Sequence, residues 1–166
     1  LQGVEILRKY FKDPAITTDI IVGFPGETEE EFKTTCDFAK KVSFAQIHVF
    51  KYSRRHGTVA DRMEDQVDEQ VKNSRSDRLL AIEAELEKQY QQKFPDQTQK
   101  VLIEEPVLIE GTKYLVGYNE RYVRIAVPYE EGVSDESLCN RLIDVHINGS
   151  LEGDILLGKR ERACNL

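Results

Sequence analysis

The apolar run Ile20-Ile21-Val22 passes directly into Gly23-Phe24-Pro25-Gly26 and then into an acidic stretch, and no other feature constrains the fold of this chain as strongly. A strand without polar alternation is what a parallel sheet covered by helices requires, so the run is expected to be buried on both faces. Gly23 and Gly26 allow backbone angles that other residues resist, and Pro25 fixes one φ. Thr28 and Glu31 have the spacing of a capping box, which starts a helix near Thr28.

Around this turn the hydrophobic pattern predicts a helix over 3–12, stopped by Asp13-Pro14, and a helix from Thr28 to about Val42 with Phe32, Cys36 and Ala39 on one face. Strands are expected from Thr18 to Val22 and from Phe44 to Tyr52. Helix–strand–helix–strand order makes those strands parallel, with a right-handed crossover. Residues 65–94 read as a long charged helix with Val67, Val71, Leu79, Ile82, Leu86 and Tyr90 on one stripe, interrupted near Asn73-Ser74. Its expected role is packing and connection.

Past Pro95 the texture changes to short β-rich runs at 100–107, 114–119, 121–128, 140–149 and 153–160, punctuated by Gly111, Gly117, Gly132, Asn148-Gly149 and Gly153. Five short strands in so short a stretch predict a small antiparallel barrel, which removes exposed edges by closing on itself. The expected organisation is therefore 1–64, a connecting helix over 65–94, and a barrel over 95–166.

Charge narrows the function classes. Residues 1–94 carry 15 Lys and Arg against 17 Asp and Glu, and residues 95–166 carry 8 against 13, so neither part is a basic nucleic-acid module by bulk charge. No run approaches the ~20 apolar residues of a membrane span, so no membrane partner is expected and the cytoplasm is the default setting. Cys36, Cys139 and Cys164 fit neither a disulfide framework nor a metal knuckle and are read as thiols. The chain begins at Leu1 and has a single methionine, Met63, which suggests a piece of a longer protein.

The wording "TDIIVGFPGETEEEF" (18–32) together with "FAQIHVFKYSRRHGTVA" (44–60), a long charged helix and a terminal small barrel resembles the radical S-adenosylmethionine methylthiotransferases that modify transfer RNA. Within that family the branch acting on threonylcarbamoyladenosine is most similar, through the pattern from His48 to Ala60. The resemblance covers nearly the whole chain. It implies a fold of α/β plus all-β class: a partial (β/α) radical-SAM barrel, followed by an OB-like TRAM barrel that binds RNA. It also implies S-adenosylmethionine and a [4Fe–4S] cluster in the parent protein. The chain has no CxxxCxxC, the motif that supplies the cluster's thiolates, so no metal ligand, no catalytic residue and no bound cofactor are expected here, and the piece alone is expected to be inactive. Lys51, Arg54, His56 and Val59 stand where relatives commonly have proline.

The resemblance carries over to few residues. Ligands bind at the carboxyl ends of parallel strands, so Gly23, Phe24, Phe50, Tyr52 and Ser53 are the expected cofactor contacts, with the aromatic rings walling an adenine. Glu27 is expected to cap the turn. The basic cluster Arg54-Arg55-His56 suits an RNA phosphate or a carboxylate, and equally suits pairing with Asp61 or Glu64. In the terminal barrel Tyr114, Tyr118 and Tyr122 interleave with Lys113, Arg121 and Arg124, a combination of stacking rings and cations that suits single-stranded or loop RNA. Lys159, Arg160 and Arg162 offer a second positive spot. His48 and His146 lack partners at recognisable spacing and are read as structural. The expected partner is tRNA, and the strand edges of a truncated barrel are expected to favour self-association. The alternative is a non-catalytic RNA-binding module on an α/β scaffold.

Overall fold

A computed structural model describes residues 1–129 and 136–161; Gly132, Arg162 and Cys164 lie outside the described residues. The chain divides into two compact units, Leu1–Tyr90 and Gln91–Leu166.

In the first unit the order is α1 (Gln2–Tyr10), β1 (Thr17–Val22), α2 (Glu29–Val42), β2 (Gln46–Lys51) and α3 (Glu69–Gln91), the last residue of α3 falling in the second unit. β1 and β2 pair in parallel from Thr17↔Gln46 to Val22↔Lys51, so both strands end at the same edge. α2 starts on the capping box: the Glu31 amide donates to the Thr28 hydroxyl at 3.2 Å, and the Thr28 amide donates to the Glu31 carboxylate at 2.8 Å. It buries Phe32, Cys36, Ala39 and Val42, and ends where Ser43 turns left-handed at φ 53°. These side chains meet Val22, Phe44, Ile47, Leu79 and Leu86 in one core, with Val4 of α1 packed against it. α1 is also tied down by Arg8, whose guanidinium donates to the carbonyls of Val42 and Ser43.

Two expectations fail here. Burial of β1 is one-sided: Val22 is fully buried, but Ile21 is 54% exposed beside its register partner Phe50 at 53%. Period-2 alternation sends these two side chains away from the helices, and nothing among the described residues covers that face. The third helix is also different from the expected stripe. It starts at Glu69 rather than 65 and runs unbroken through Asn73-Ser74. Val71 is exposed, and the inward positions at that end are Lys72 and Arg75, which turn toward the strand tips.

The second unit is a closed barrel in the order β3 (Thr98–Ile109), β4 (Thr112–Asn119), β5 (Arg124–Pro128), β7 (Ile155–Arg160), β6 (Leu142–Glu152). It is not wholly antiparallel, because β5 and β7 pair in parallel through Ile125↔Leu156 and Ala126↔Leu157. Strand directions cannot alternate all the way round a closed ring with an odd number of strands, so one pair had to be parallel. Val101, Ile103, Leu115, Ile125, Val145, Ile147 and Leu156 are buried. A smaller cluster of Ile109, Val116, Ala126 and Ile155 is flanked by Val107, Tyr114 and Leu151, which makes Tyr114 a packing residue. β4 approaches β3 so closely at Gly117 that a Cβ there would lie 1.9 Å from the Leu102 carbonyl oxygen and 2.8 Å from Ile103 Cα.

Since backbone rather than a pliable side chain fills that space, Gly117→Ala should destabilise the barrel by about 1–3 kcal/mol or more, read as a lowered urea midpoint of the second unit's transition. The first unit should be acid-sensitive. Glu29 is held below the usual carboxylate range chiefly by its hydrogen bond from Arg78, and Glu31 by the backbone hydrogen bond at Thr28. Because both folded values are depressed, their contribution is fully present above the unfolded carboxylate pKa of about 4.3 and is lost as pH falls through the folded values. Urea midpoints measured across that range should fall with acidification, and less steeply for Arg78→Met.

Candidate functional site

The shared edge where β1 and β2 end is built around one buried ion pair. After Val22, Gly23 adopts φ +72° and its amide donates to the Glu27 carboxylate at 2.6 Å. The same carboxylate oxygen receives Arg75 Nη1 at 2.7 Å, and Arg75 also donates to the Glu27 carbonyl at 3.0 Å. Both side chains are shielded, 6% exposed for Arg75 and 14% for Glu27. Glu27 thus caps the turn as expected, but its main partner comes from α3, 48 residues away, which turn-scale sequence patterns do not reveal. Lys72, one turn earlier on α3, lays its stem against Gly23: a Cβ there would meet Lys72 Cγ at 2.1 Å. The glycine therefore makes room for α3 on that side. The Lys72 ammonium reaches the Tyr52 carbonyl at 3.3 Å and Glu69 at 2.6 Å.

Of the five residues expected to contact a cofactor, the structure brings Gly23, Phe24, Tyr52 and Phe50 to this edge, joined by the hydrogen bond from the Tyr52 amide to the Val22 carbonyl at 2.9 Å. Phe24 and Tyr52 meet edge-to-face, centroids 5.2 Å apart, with Phe24 45% exposed. Tyr52 Oη is a buried atom without a hydrogen-bond partner among the described residues. Phe50 and Ile21 add exposed apolar surface on the open sheet face. This combination of aromatic walls and one unsatisfied hydroxyl fits an adenine-bearing ligand. Ser53 instead lines an open depression of about 460 Å³ with Lys51, Tyr52, Arg54, Glu69 and Lys72. An iron–sulfur cluster has no matching ligands: among the described residues no three His, Cys, Asp or Glu converge, Cys36 is in the core of the first unit and Cys139 is in the second unit. His48 is exposed on the open face beside its register partner Asp19.

The basic loop after β2 resolves into a local ion pair. Arg54 donates to the Asp61 carboxylate at 3.1 Å and to its carbonyl at 2.7 Å, and His56 lies 3.7 Å from the same carboxylate. Arg55 is exposed, with its carbonyl accepting from Thr58.

On the barrel, register places Leu142, Leu102, Tyr118 and Arg124 side by side across four strands on one outer face. Leu142 is 68% exposed and Leu102 40%. Tyr122, 83% exposed at φ 58°, lies 5.9 Å from Tyr118 between ring centroids. Its display depends on buried Asn119, whose side-chain oxygen accepts from the amides of Arg121 at 2.9 Å and Val123 at 3.0 Å. Sequence reasoning passed over Asn119, although an Asn two residues before a turn residue is the ordinary signal of such a clasp. Arg124 carries a buried Nε without a partner among the described residues. Arg121 lies over the Phe94 ring and beside Glu120. Lys159 shares the outer face opposite His146, four residues along β6 from Leu142. Lys113 and Arg160 do not join this face: Lys113 is an odd step from Tyr118 and packs over the Tyr129 ring, and Arg160 is the register partner of buried Val145.

No family model matches the chain. Curated relatives do. The chain is 46% identical over 142 residues to threonylcarbamoyladenosine tRNA methylthiotransferase MtaB of Bacillus subtilis, covering 85% of this chain and 30% of the relative. It is 41% identical over 154 residues to a tRNA-2-methylthio-N(6)-dimethylallyladenosine synthase of Acetivibrio thermocellus, covering 90% and 31%. It is 37% identical over 161 residues to ribosomal protein uS12 methylthiotransferase RimO of Clostridium kluyveri, covering 94% and 34%. The chain thus spans about a third of the length of the curated relatives it matches.

Removing Arg75 leaves a shielded carboxylate without its cation, so Arg75→Met should cost about 3–5 kcal/mol of first-unit stability. Adding Glu27→Gln to that variant should restore part of the loss, because the uncompensated charge disappears while the Gly23 amide keeps an acceptor. Urea unfolding of the two variants checks both statements.

Proposed function

We propose, from the premise that the chain belongs to the radical S-adenosylmethionine methylthiotransferase family of its curated relatives, that it supplies part of a cofactor pocket and an RNA grip to such an enzyme. The observation that carries this reading is the meeting of Gly23, Phe24, Phe50 and Tyr52 at one strand edge. The parallel pair β1–β2 with its helices is read as part of a (β/α) barrel, and the closed five-stranded barrel as an OB-like TRAM module.

When bound, S-adenosylmethionine supplies the radical chemistry and its cluster supplies the electron; the described residues of this chain contribute binding surface. Phe24 and Tyr52 wall the adenine, with Phe50 as added apolar surface, and the Tyr52 hydroxyl offers a hydrogen bond. Ser53, Arg54 and Arg55 follow at the same edge. The substrate is read as a modified adenosine beside the anticodon of tRNA. Tyr118 and Tyr122 form the stacking platform, Arg124 and Lys159 contribute positive charge on that face, Arg121 stands in the same loop as Tyr122 over the Phe94 ring, and Lys113 and Arg160 lie off the face. The relatives' names divide between tRNA and a ribosomal protein as substrate, and exposed Tyr122 beside half-buried Tyr118 favours the nucleic acid, since every base presents a π-face to such rings. The setting is read as cytoplasmic.

Titration of the chain with an anticodon stem-loop RNA should show salt-dependent binding. Tyr122→Ala should weaken it by roughly five- to a hundredfold, the range for loss of one base–aromatic stack. Lys113→Ala should change it little. Loss of methylthio-adenosines from tRNA in cells without the gene, read by nucleoside mass spectrometry, tests the enzymatic reading; unchanged nucleosides would reject it.

A further inference from the structure

The depression beside Ser53 has its own chemistry, separate from the apolar strand face on which Phe50 stands. Its cations come from three places in the chain: Lys51 at the end of β2, Arg54 in the following loop, and Lys72 from the first turn of α3. The two ammonium groups converge on one carboxylate. Lys72 Nζ lies 2.6 Å from Glu69 Oε2, and Lys51 Nζ lies 3.8 Å from Glu69 Oε1. Glu69 itself is 63% exposed at the mouth of the depression.

The two lysines differ in how they are held. Lys72 is 10% exposed, its stem packed on Gly23 and its ammonium on the Tyr52 carbonyl. Lys51 is anchored by donation to Asn73 Oδ1 at 2.7 Å. A fixed, shielded ammonium on one wall and a second beside it form a cradle for two oxygens of one anion. Ser53 and Arg54 complete the lining, the Arg54 guanidinium being oriented by Asp61. The cavity, about 460 Å³, lies within the ordinary size of small-ligand sites, roughly 300–1,000 Å³. The balance around this lining is positive by one, three cations against Glu69 and the Asp61 that pairs with Arg54.

We propose that this depression is a phosphate-binding site for the RNA backbone, and that in the free chain the Glu69 carboxylate occupies the two-ammonium cradle in place of the phosphate. This assignment rests on the RNA reading above and adds to it a contact in the first unit. Glu69 acts as a resident anion: an incoming phosphate group displaces it toward solvent, where its 63% exposure already places much of it. A phosphate carries more oxygens than the carboxylate and engages Ser53 and Arg54 as well, so the exchange favours the ligand. Binding is therefore self-gated, with weak single anions excluded and phosphate admitted.

The test is residue-resolved amide NMR of the full chain titrated with inorganic phosphate, with chloride at matched ionic strength, and with a short single-stranded oligoribonucleotide. Phosphate and the oligoribonucleotide should each give saturable shifts at residues 51–54 and 69–72, and chloride none. Glu69→Gln should tighten both by roughly threefold, the scale of one exposed ion pair. Lys51→Ala should weaken both, and Lys72→Met, which keeps the stem against Gly23, should weaken them further. Absence of saturable shifts at these residues, or affinity indifferent to both Glu69→Gln and Lys72→Met, overturns the site. Oligoribonucleotide shifts confined to Tyr118, Tyr122 and Arg124 overturn this inference and leave the RNA reading standing. Saturation by inorganic phosphate with no RNA response anywhere in the chain overturns the RNA occupant and the RNA reading together, while the cradle remains a free-phosphate site.

Discussion

The first unit depends on the contact between Arg75 and Glu27. One carboxylate oxygen accepts from both the Gly23 amide and the Arg75 guanidinium, so a single group joins the end of β1, the entry to α2 and the first half of α3. Burying such a pair is costly unless its hydrogen-bonding capacity is used; here Arg75 Nη1 donates to both the Glu27 carboxylate and the Glu27 carbonyl, while Nε, 3.5 Å from the Glu29 carboxylate, makes no hydrogen bond among the described residues. The arginine also lies over the Phe32 ring, 5.6 Å from its centroid, which couples the polar contact to one of the two phenylalanines buried in the core. Turn, helix and core thus share one set of restraints. The aromatic edge formed by Phe24 and Tyr52 inherits its rigidity from them.

Much of this architecture was legible in the sequence because it is written locally. Thr28 and Glu31 carry their capping signal within four residues, and Phe32, Cys36 and Ala39 reveal a buried face by spacing alone. The β-rich texture past Pro95 announced five strands, and five appear among the described residues. What could not be read locally was which long-range partner wins. Val71 has the right chemistry and nearly the right phase for the inner face of α3, yet Lys72 and Arg75 take it, because the turn and strand tips there present a carboxylate and carbonyls rather than methyl groups. Likewise the apolar composition of Ile20-Ile21-Val22 says how much greasy surface the strand has, not how many faces of it this stretch of chain covers.

The candidate sites divide in the same way. The tyrosines and arginines of the second unit looked like one interleaved set along the sequence, but strand alternation sorted them: Tyr118 and Arg124 stand together, while Lys113 and Tyr114 serve packing elsewhere. Arg54 was equally suited to a ligand or to Asp61, and the structure gives it Asp61 while leaving its guanidinium on the wall of the depression. A side chain oriented by a neighbour in this way is better prepared to meet an anion than a mobile one, since less rotamer freedom remains to be lost.

The Asn119 clasp has a consequence for how such a surface changes over generations. Its hydrogen bonds to the amides of Arg121 and Val123 close within residues 119–123, while the Asn119 side-chain amide donates to Gln99 Oε1 at 3.3 Å, so the loop that holds Tyr122 outward is clasped locally and anchored to β3 through Asn119 rather than through Tyr122. The ring at its apex makes no demand on the barrel interior. Substitutions at that one position are therefore free to retune what the surface recognises, trading one aromatic or polar tip for another, while the scaffold beneath stays under separate selection for closure and packing.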